Sequence, residues 1–134
     1  MRHTEPLSWD QGEIDWLSVD EGFGEARQRK QPIVLAYFTH WCPDCHNISL
    51  FFKDERVIRL ARSFVMIWAN RDEDLQTGQR YDIDGTYVPR LQFLTSDGEL
   101  IESLTSGRAD DVYFYEAHHL EQWVLNMERA LTTS

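Results

Sequence analysis

The sequence predicts an α/β domain, a central β-sheet flanked by helices, and three observations carry that prediction. The run Ile33-Val34-Leu35-Ala36-Tyr37-Phe38 is apolar at consecutive positions, so both faces of any strand it forms must be buried. Strand-length apolar runs alternate along the chain with segments of helical spacing. The last such segment is amphipathic, with Leu120, Trp123, Val124, Met127 and Leu131 on one face. At 134 residues the chain fits a single domain, expected over 14–134. Residues 1–13 are polar and hold Pro6 and Gly12, which predicts a flexible N-terminal arm.

The elements follow in order. Asp20 to Gln31 holds good helix formers and is expected to be an exposed helix. The central strand comes next and ends at Thr39-His40-Trp41. A helical pattern starts near Cys42, with Ile48, Phe51 and Phe52, then a break near Asp54, then Val57, Ile58 and Leu60. Phe64 to Ala69 is a second apolar strand, and the charged stretch from Asn70 to Asp84 is expected to be a connecting loop. From Val88 to Leu94, Leu91 and Phe93 alternate with polar neighbours, as a half-buried strand requires. Ser96-Asp97-Gly98 signals a turn, after which Glu99 to Thr105 is expected to return as an antiparallel strand. Glu116 to Leu131 closes the domain as a helix.

Composition excludes several classes. With 42% hydrophobic residues and 13% aromatic, this is neither a disordered nor a low-complexity chain. Twenty-three acidic against 13 basic residues give a net charge of −10, so no nucleic-acid partner is expected. No apolar run is long enough for membrane insertion. Met1 to Asp10 has no signal-peptide pattern, which fits either a cytosolic protein or one whose leader has been removed.

The chemistry lies in Cys42-Pro43-Asp44-Cys45. On a helix starting at about Cys42, the two cysteines are one turn apart on one face, within reach of an unstrained disulfide. Free N–H groups in the first turn favour an anionic sulfur on Cys42, whereas Cys45 sits one turn in and is shielded. Pro43 falls where a missing N–H costs nothing. An Asp44 carboxylate beside the Cys42 sulfur disfavours a thiolate by like-charge repulsion, and His40 and His46, if protonated, favour one. Trp41 is expected to be a partly exposed platform that shields the sulfur and contacts substrate. The Val88–Pro89 bond has two readings: trans, which the residues alone favour, or cis, setting a backbone edge against the cysteines.

Other patterns are weaker. Cys42-Pro43-Asp44-Cys45-His46 has the spacing of covalent haem attachment, but it follows a buried strand in an α/β order. A zinc site would need two more ligands, and the adjacent His118 and His119 are expected to diverge by about 100° on a helix. No metal and no cofactor is therefore expected. Asp82-Ile83-Asp84-Gly85-Thr86 resembles a phosphotransferase motif but does not end an apolar strand, and is expected to be a loop.

Taken together, Trp41-Cys42-Pro43-Asp44-Cys45, the strand before it, and Val88-Pro89 followed by the Ser96-Asp97-Gly98 turn resemble the thioredoxin superfamily over about residues 14–131. Gly85-Thr86-Tyr87-Val88-Pro89-Arg90, with Tyr113-Phe114-Tyr115-Glu116, is most similar to the small endoplasmic-reticulum thioredoxin-domain proteins and their anterior-gradient relatives. Phe52 to Val65 also resembles the thioredoxin domain of bacterial periplasmic reductants. The resemblance implies a thioredoxin fold with a mixed sheet, Cys42 as nucleophile, Cys45 as resolving thiol, Pro89 as a cis-proline, and Trp41, Val88 and Pro89 at the substrate. It implies a thiol–disulfide oxidoreductase whose partners are disulfide- or thiol-containing proteins and an upstream thiol reductant or oxidant, in an endoplasmic-reticulum or periplasmic lumen, with the cytosol as the alternative. The alternative is a client-binding module of the same fold without turnover. One departure stands out: many thioredoxins carry a buried acid six positions before the first cysteine, where this chain has Ala36.

Overall fold

The computed structural model describes residues 13–39 and 41–132, so the expected arm, apart from Glu13, lies outside them. Helix α1 (Val19–Arg29) starts where Ser18 caps it, its hydroxyl accepting from the Glu21 N–H at 3.2 Å. It ends where Lys30 turns into the left-handed region at φ 57° and donates its N–H to the Ala26 carbonyl. Acidic Asp20 and Glu21 in its first turn, and basic Arg27 and Arg29 in its last, complement the helix dipole.

Strand β2 (Ile33–Phe38) is buried at every position, as its sequence requires. It pairs in parallel with β3 (Val65–Asn70), Ile33 opposite Val65, and antiparallel with β4 (Arg90–Leu94), Tyr37 opposite Arg90. A two-residue strand, β1 (Trp16–Leu17), joins the far side of β3 in parallel, giving a mixed sheet in the order β1-β3-β2-β4. Alternate side chains divide the core. Val34, Ala36, Phe38, Leu91 and Phe93 face α2 (Pro43–Ile48), α3 (Glu55–Ala61) and α5 (Leu120–Thr132), where Trp123 stacks on Phe93 with centroids 4.8 Å apart. Ile33, Leu35, Tyr37 and Ile67 face α1 and Tyr81. A 3-10 turn, Ser49–Lys53, links α2 to α3, at the break expected near Asp54.

Three expectations need correction. β1 is too short to leave a periodic signal and exists because β3 offers it a free edge. The stretch from Asn70 to Asp84 holds a helix, α4 (Leu75–Arg80), whose composition is poor for one. Tertiary contacts place it: Gly78 lies against the Tyr37 hydroxyl, and buried Arg90 donates to the Gly78 carbonyl at 2.9 Å. Glu99 to Thr105 forms no strand, only a single bridge from Leu100 to Leu94. The outer edge of β4 is divided between two segments, because Ile101 donates its N–H to Phe93 while Leu91 donates to Tyr113. Among the described residues no helix is long and apolar enough to cross a membrane.

Candidate active site

The site forms where β2 ends and α2 begins, opposite the entrance to β4. Cys42 is the N-cap of α2, with extended backbone at φ −86° and ψ 115°, and its Sγ accepts the Cys45 N–H at 3.1 Å. An N-cap normally uses an oxygen to satisfy one of the free amides of the first turn; here a sulfur does so. Pro43 follows at the first helical position, where no amide is needed. From the other side the Cys42 S–H donates to the Val88 carbonyl at 3.8 Å. The Val88–Pro89 peptide bond is cis, with Val88 half-buried and Pro89 buried.

The two thiols differ in environment. Both are free, Cys42 is 4% exposed and Cys45 is 0% exposed. Burial, first of all, pushes the Cys45 thiol well above its ordinary value, and the Cys42 sulfur bonded to it adds to this, while a hydrogen bond from the Thr39 backbone works the other way. Asp44 and His46 are both exposed on α2. His40 lies outside the described residues.

Trp41 precedes Cys42 in the chain and is 62% exposed. Its indole N–H donates to the Asp72 carboxylate at 3.2 Å, and the Arg71 guanidinium lies over its ring at 5.0 Å. Asp72 and Arg71 belong to the stretch expected to be a solvated connection; 31 positions separate Asp72 from Trp41, and no local pattern joins them.

The segment that presents Val88 is anchored by Asp84, Tyr87 and Arg90, whose contacts no local pattern reveals. Tyr87 donates its hydroxyl to Asp84 at 2.8 Å and accepts the Tyr113 N–H at 3.0 Å, and the other Asp84 oxygen accepts the Val112 N–H at 2.8 Å. Arg90 is fully buried, donates to the carbonyls of Gly85 and Gly78, and lies over the Tyr37 ring at 4.4 Å. Asp82 to Thr86 is thus a loop, as expected, and Asp84 is the clasp that holds it.

Away from this site, His118 and His119 do not diverge as expected. They lie in a 3-10 turn, Ala117–His119, with ring centroids 4.1 Å apart, and Glu116 is close to both. The cluster is nonetheless committed to structure. Glu116 pairs with Arg108 at 2.7 Å, and His119 Nδ1 accepts the Glu116 N–H at 2.9 Å, capping the turn.

Comparison with known proteins bears on the fold and the family. Anterior gradient protein 3 of Mus musculus is 27% identical over 122 residues, covering 89% of this chain and 72% of that protein. Anterior gradient protein 2 of Xenopus tropicalis is 25% identical, covering 88% and 71%. Among solved structures, a DsbH oxidoreductase superposes with a TM-score of 0.65 at 18% identity, over 100% of this chain and 94% of that one. A thioredoxin from Thermus thermophilus gives 0.62 at 19% identity, over 85% and 86%. The fold is therefore that of thioredoxin. Residues 15–96 match the family model described as thioredoxin-like, and the chain belongs to that family.

Proposed function

We propose that this protein is a thiol–disulfide oxidoreductase that acts on protein disulfides through Cys42 and Cys45. The observation that carries the reading is the placement of the Cys42 sulfur: it caps a helix, takes a peptide N–H at 3.1 Å, and meets the Val88 carbonyl, with the exposed Trp41 next to it in the chain. A donor aimed at a sulfur supports its anionic form, which is the nucleophile in exchange. The Cys42 thiolate attacks a client disulfide, a Cys42–client bond forms, and the second client sulfur leaves as a thiolate. Cys45 then gives up its proton and attacks Cys42, releasing the client thiol and leaving a Cys42–Cys45 disulfide for an upstream thiol to reduce. The pair run in reverse makes a disulfide donor. Trp41 and the Val88–Pro89 backbone receive the client segment flanking its cysteine, and Asp44 and His46 lie exposed on the helix that carries the pair.

Two single changes test the assignment. Cys42→Ser should abolish turnover in an insulin-reduction assay, and Cys45→Ser should accumulate covalent client adducts visible on non-reducing gels. Full turnover in Cys42→Ser would refute it. The reduction potential then decides direction: near about −270 mV the pair is a reductant, near about −180 mV a donor or isomerase suited to an oxidising lumen such as the endoplasmic reticulum or periplasm. A second reading, a client-binding module without turnover, draws on the burial of both thiols; it requires client binding to survive replacement of both cysteines by serine.

A further inference from the structure

Residues 81–89 belong to no helix and no strand, yet they carry the Val88 carbonyl that meets the Cys42 sulfur. No ladder fixes such a segment, so side chains must hold its backbone. Asp84 and Tyr87 tie it to the amides of Val112 and Tyr113. Arg90, the first residue of β4, donates to the Gly85 carbonyl and to the Gly78 carbonyl in α4, both at 2.9 Å. Its guanidinium also lies over the ring of Tyr37, its partner across the sheet, and the Tyr37 hydroxyl packs against Gly78. One cation thus joins α4, the loop and the central strand, one position past Pro89.

Packing does not account for this residue. Arg90 is fully buried, its charge meets two carbonyl oxygens and a ring face, and its Nε has no hydrogen-bond partner. Burying a cation carries a desolvation cost that an apolar side chain of similar length avoids. What an apolar side chain cannot do is grip two carbonyls at once from a planar fork.

We propose that Arg90 is a positioning residue for client binding: it fixes the Gly85–Pro89 backbone where a client segment lies, and leaves the reactivity of Cys42 to α2. The substrate class this favours is an extended polypeptide flanking a disulfide, which uses that backbone, over a small disulfide, which does not. The inference rests on the oxidoreductase reading above.

The test sets two substrates against the full chain and its variants. One is insulin, with dithiothreitol as the thiol source; the other is dithiobis(nitrobenzoate), a small disulfide that needs no backbone wall. Arg90→Met should raise the KM for insulin about tenfold while kcat stays within about twofold. Its first release of thionitrobenzoate should also stay within about twofold of the unaltered rate. Arg90→Lys keeps the charge but not the fork, so it should recover part of the loss, with KM about threefold above the unaltered chain. Gln92→Leu is the control for mere loosening. Gln92 is buried on the same face of β4, and its amide donates to the Tyr81 carbonyl at 2.9 Å, farther along the chain from Val88. That variant should lower the melting temperature and leave KM unchanged. If Arg90→Met does not unfold cooperatively, Arg90→Lys decides alone. An unchanged insulin KM in the folded Arg90 variants overturns the inference and leaves the oxidoreductase reading standing. So does an equal rise in Gln92→Leu, or a matching fall in the reaction with the small disulfide, which would place the effect of Arg90 on the sulfur. If the unaltered chain reacts with neither disulfide, both readings fail.

Discussion

Trp41 is held at the surface by its neighbours: a carboxylate takes its N–H and a guanidinium lies over its ring, so a large apolar side chain stays exposed next to Cys42 in the chain. Tyr87 serves the opposite wall. Its hydroxyl links the clasp at Asp84 to the Tyr113 amide, one position before Val88. Tyr87→Phe should cost about 1–2 kcal/mol in urea unfolding, because it leaves an amide and a carboxylate oxygen without their partner. An unchanged midpoint would mean the clasp contributes nothing. Asn126 shows the same economy inside α5: it interrupts the apolar face, yet its amide donates to the Thr105 carbonyl and the Tyr115 hydroxyl at 2.7 Å each, so a buried polar group is matched.

Among the elements, Gly24 of α1 and Gly78 of α4 have opposite consequences, and Gly22 of α1, against Ile67, sides with Gly78. A Cβ on Gly24 would meet nothing within 4 Å, so Gly24→Ala should stabilise the protein by about 0.5–1 kcal/mol through lower backbone freedom in the unfolded chain. A Cβ on Gly78 would collide with the Tyr37 hydroxyl, so Gly78→Ala should destabilise by about 1–3 kcal/mol despite the same gain in helix propensity. Thermal unfolding of the two variants compares them directly, and shifts of the same sign would refute the packing argument. The missed helix has the same cause: Leu75 to Arg80 shows no helical pattern because its position depends on contacts with Tyr37 and Arg90. The return after Ser96-Asp97-Gly98 was legible as a turn, with Gly98 at φ 88°, but not its length. A local pattern cannot reveal that Tyr113 takes the remaining edge of β4.

For the molecule as a whole, His119, Asp54 and Asp74 are among the groups through which stability follows pH below neutrality. His119 is held below the ordinary imidazole value, first by burial and then by the neighbouring His118 charge, with Arg108 adding to this and Glu116 opposing it. Its contribution is present above about pH 6.5 and is lost as the pH falls through the lowered folded value. Asp54, bonded to Arg56, is held below the ordinary carboxylate range, so its contribution is complete above about pH 4 and is lost on further acidification. Asp74 has the opposite sign: burial raises it, and protonation on acidification relieves a penalty. Melting temperature should therefore fall in two steps on acidification, and His119→Gln should flatten the upper one. An unaltered profile in that variant would show that the cap at Glu116 does not titrate with folding. The contact between α3 and α5 through Arg56 and Glu121 is exposed, and its loss should matter little.

The amino-acid sequence by itself determined the central strand, the amphipathic closing helix and the cysteine pair at a helix start, because each is written in neighbouring residues as a period or a spacing; it read Val88 to Leu94 as half-buried, whereas β4 is buried at every position, Arg90 and Gln92 included. Tertiary structure alone decided the helix at Leu75–Arg80, the division of the β4 edge, the hold of Asp72 on Trp41, the clasp of Asp84 on Tyr87, and the meeting of His118 with His119. Most of these join residues far apart in the chain, and the histidine pair depends on a 3-10 rather than an α-helical turn. Nothing in the neighbouring residues specifies such contacts; they exist only once the sheet has brought the segments together.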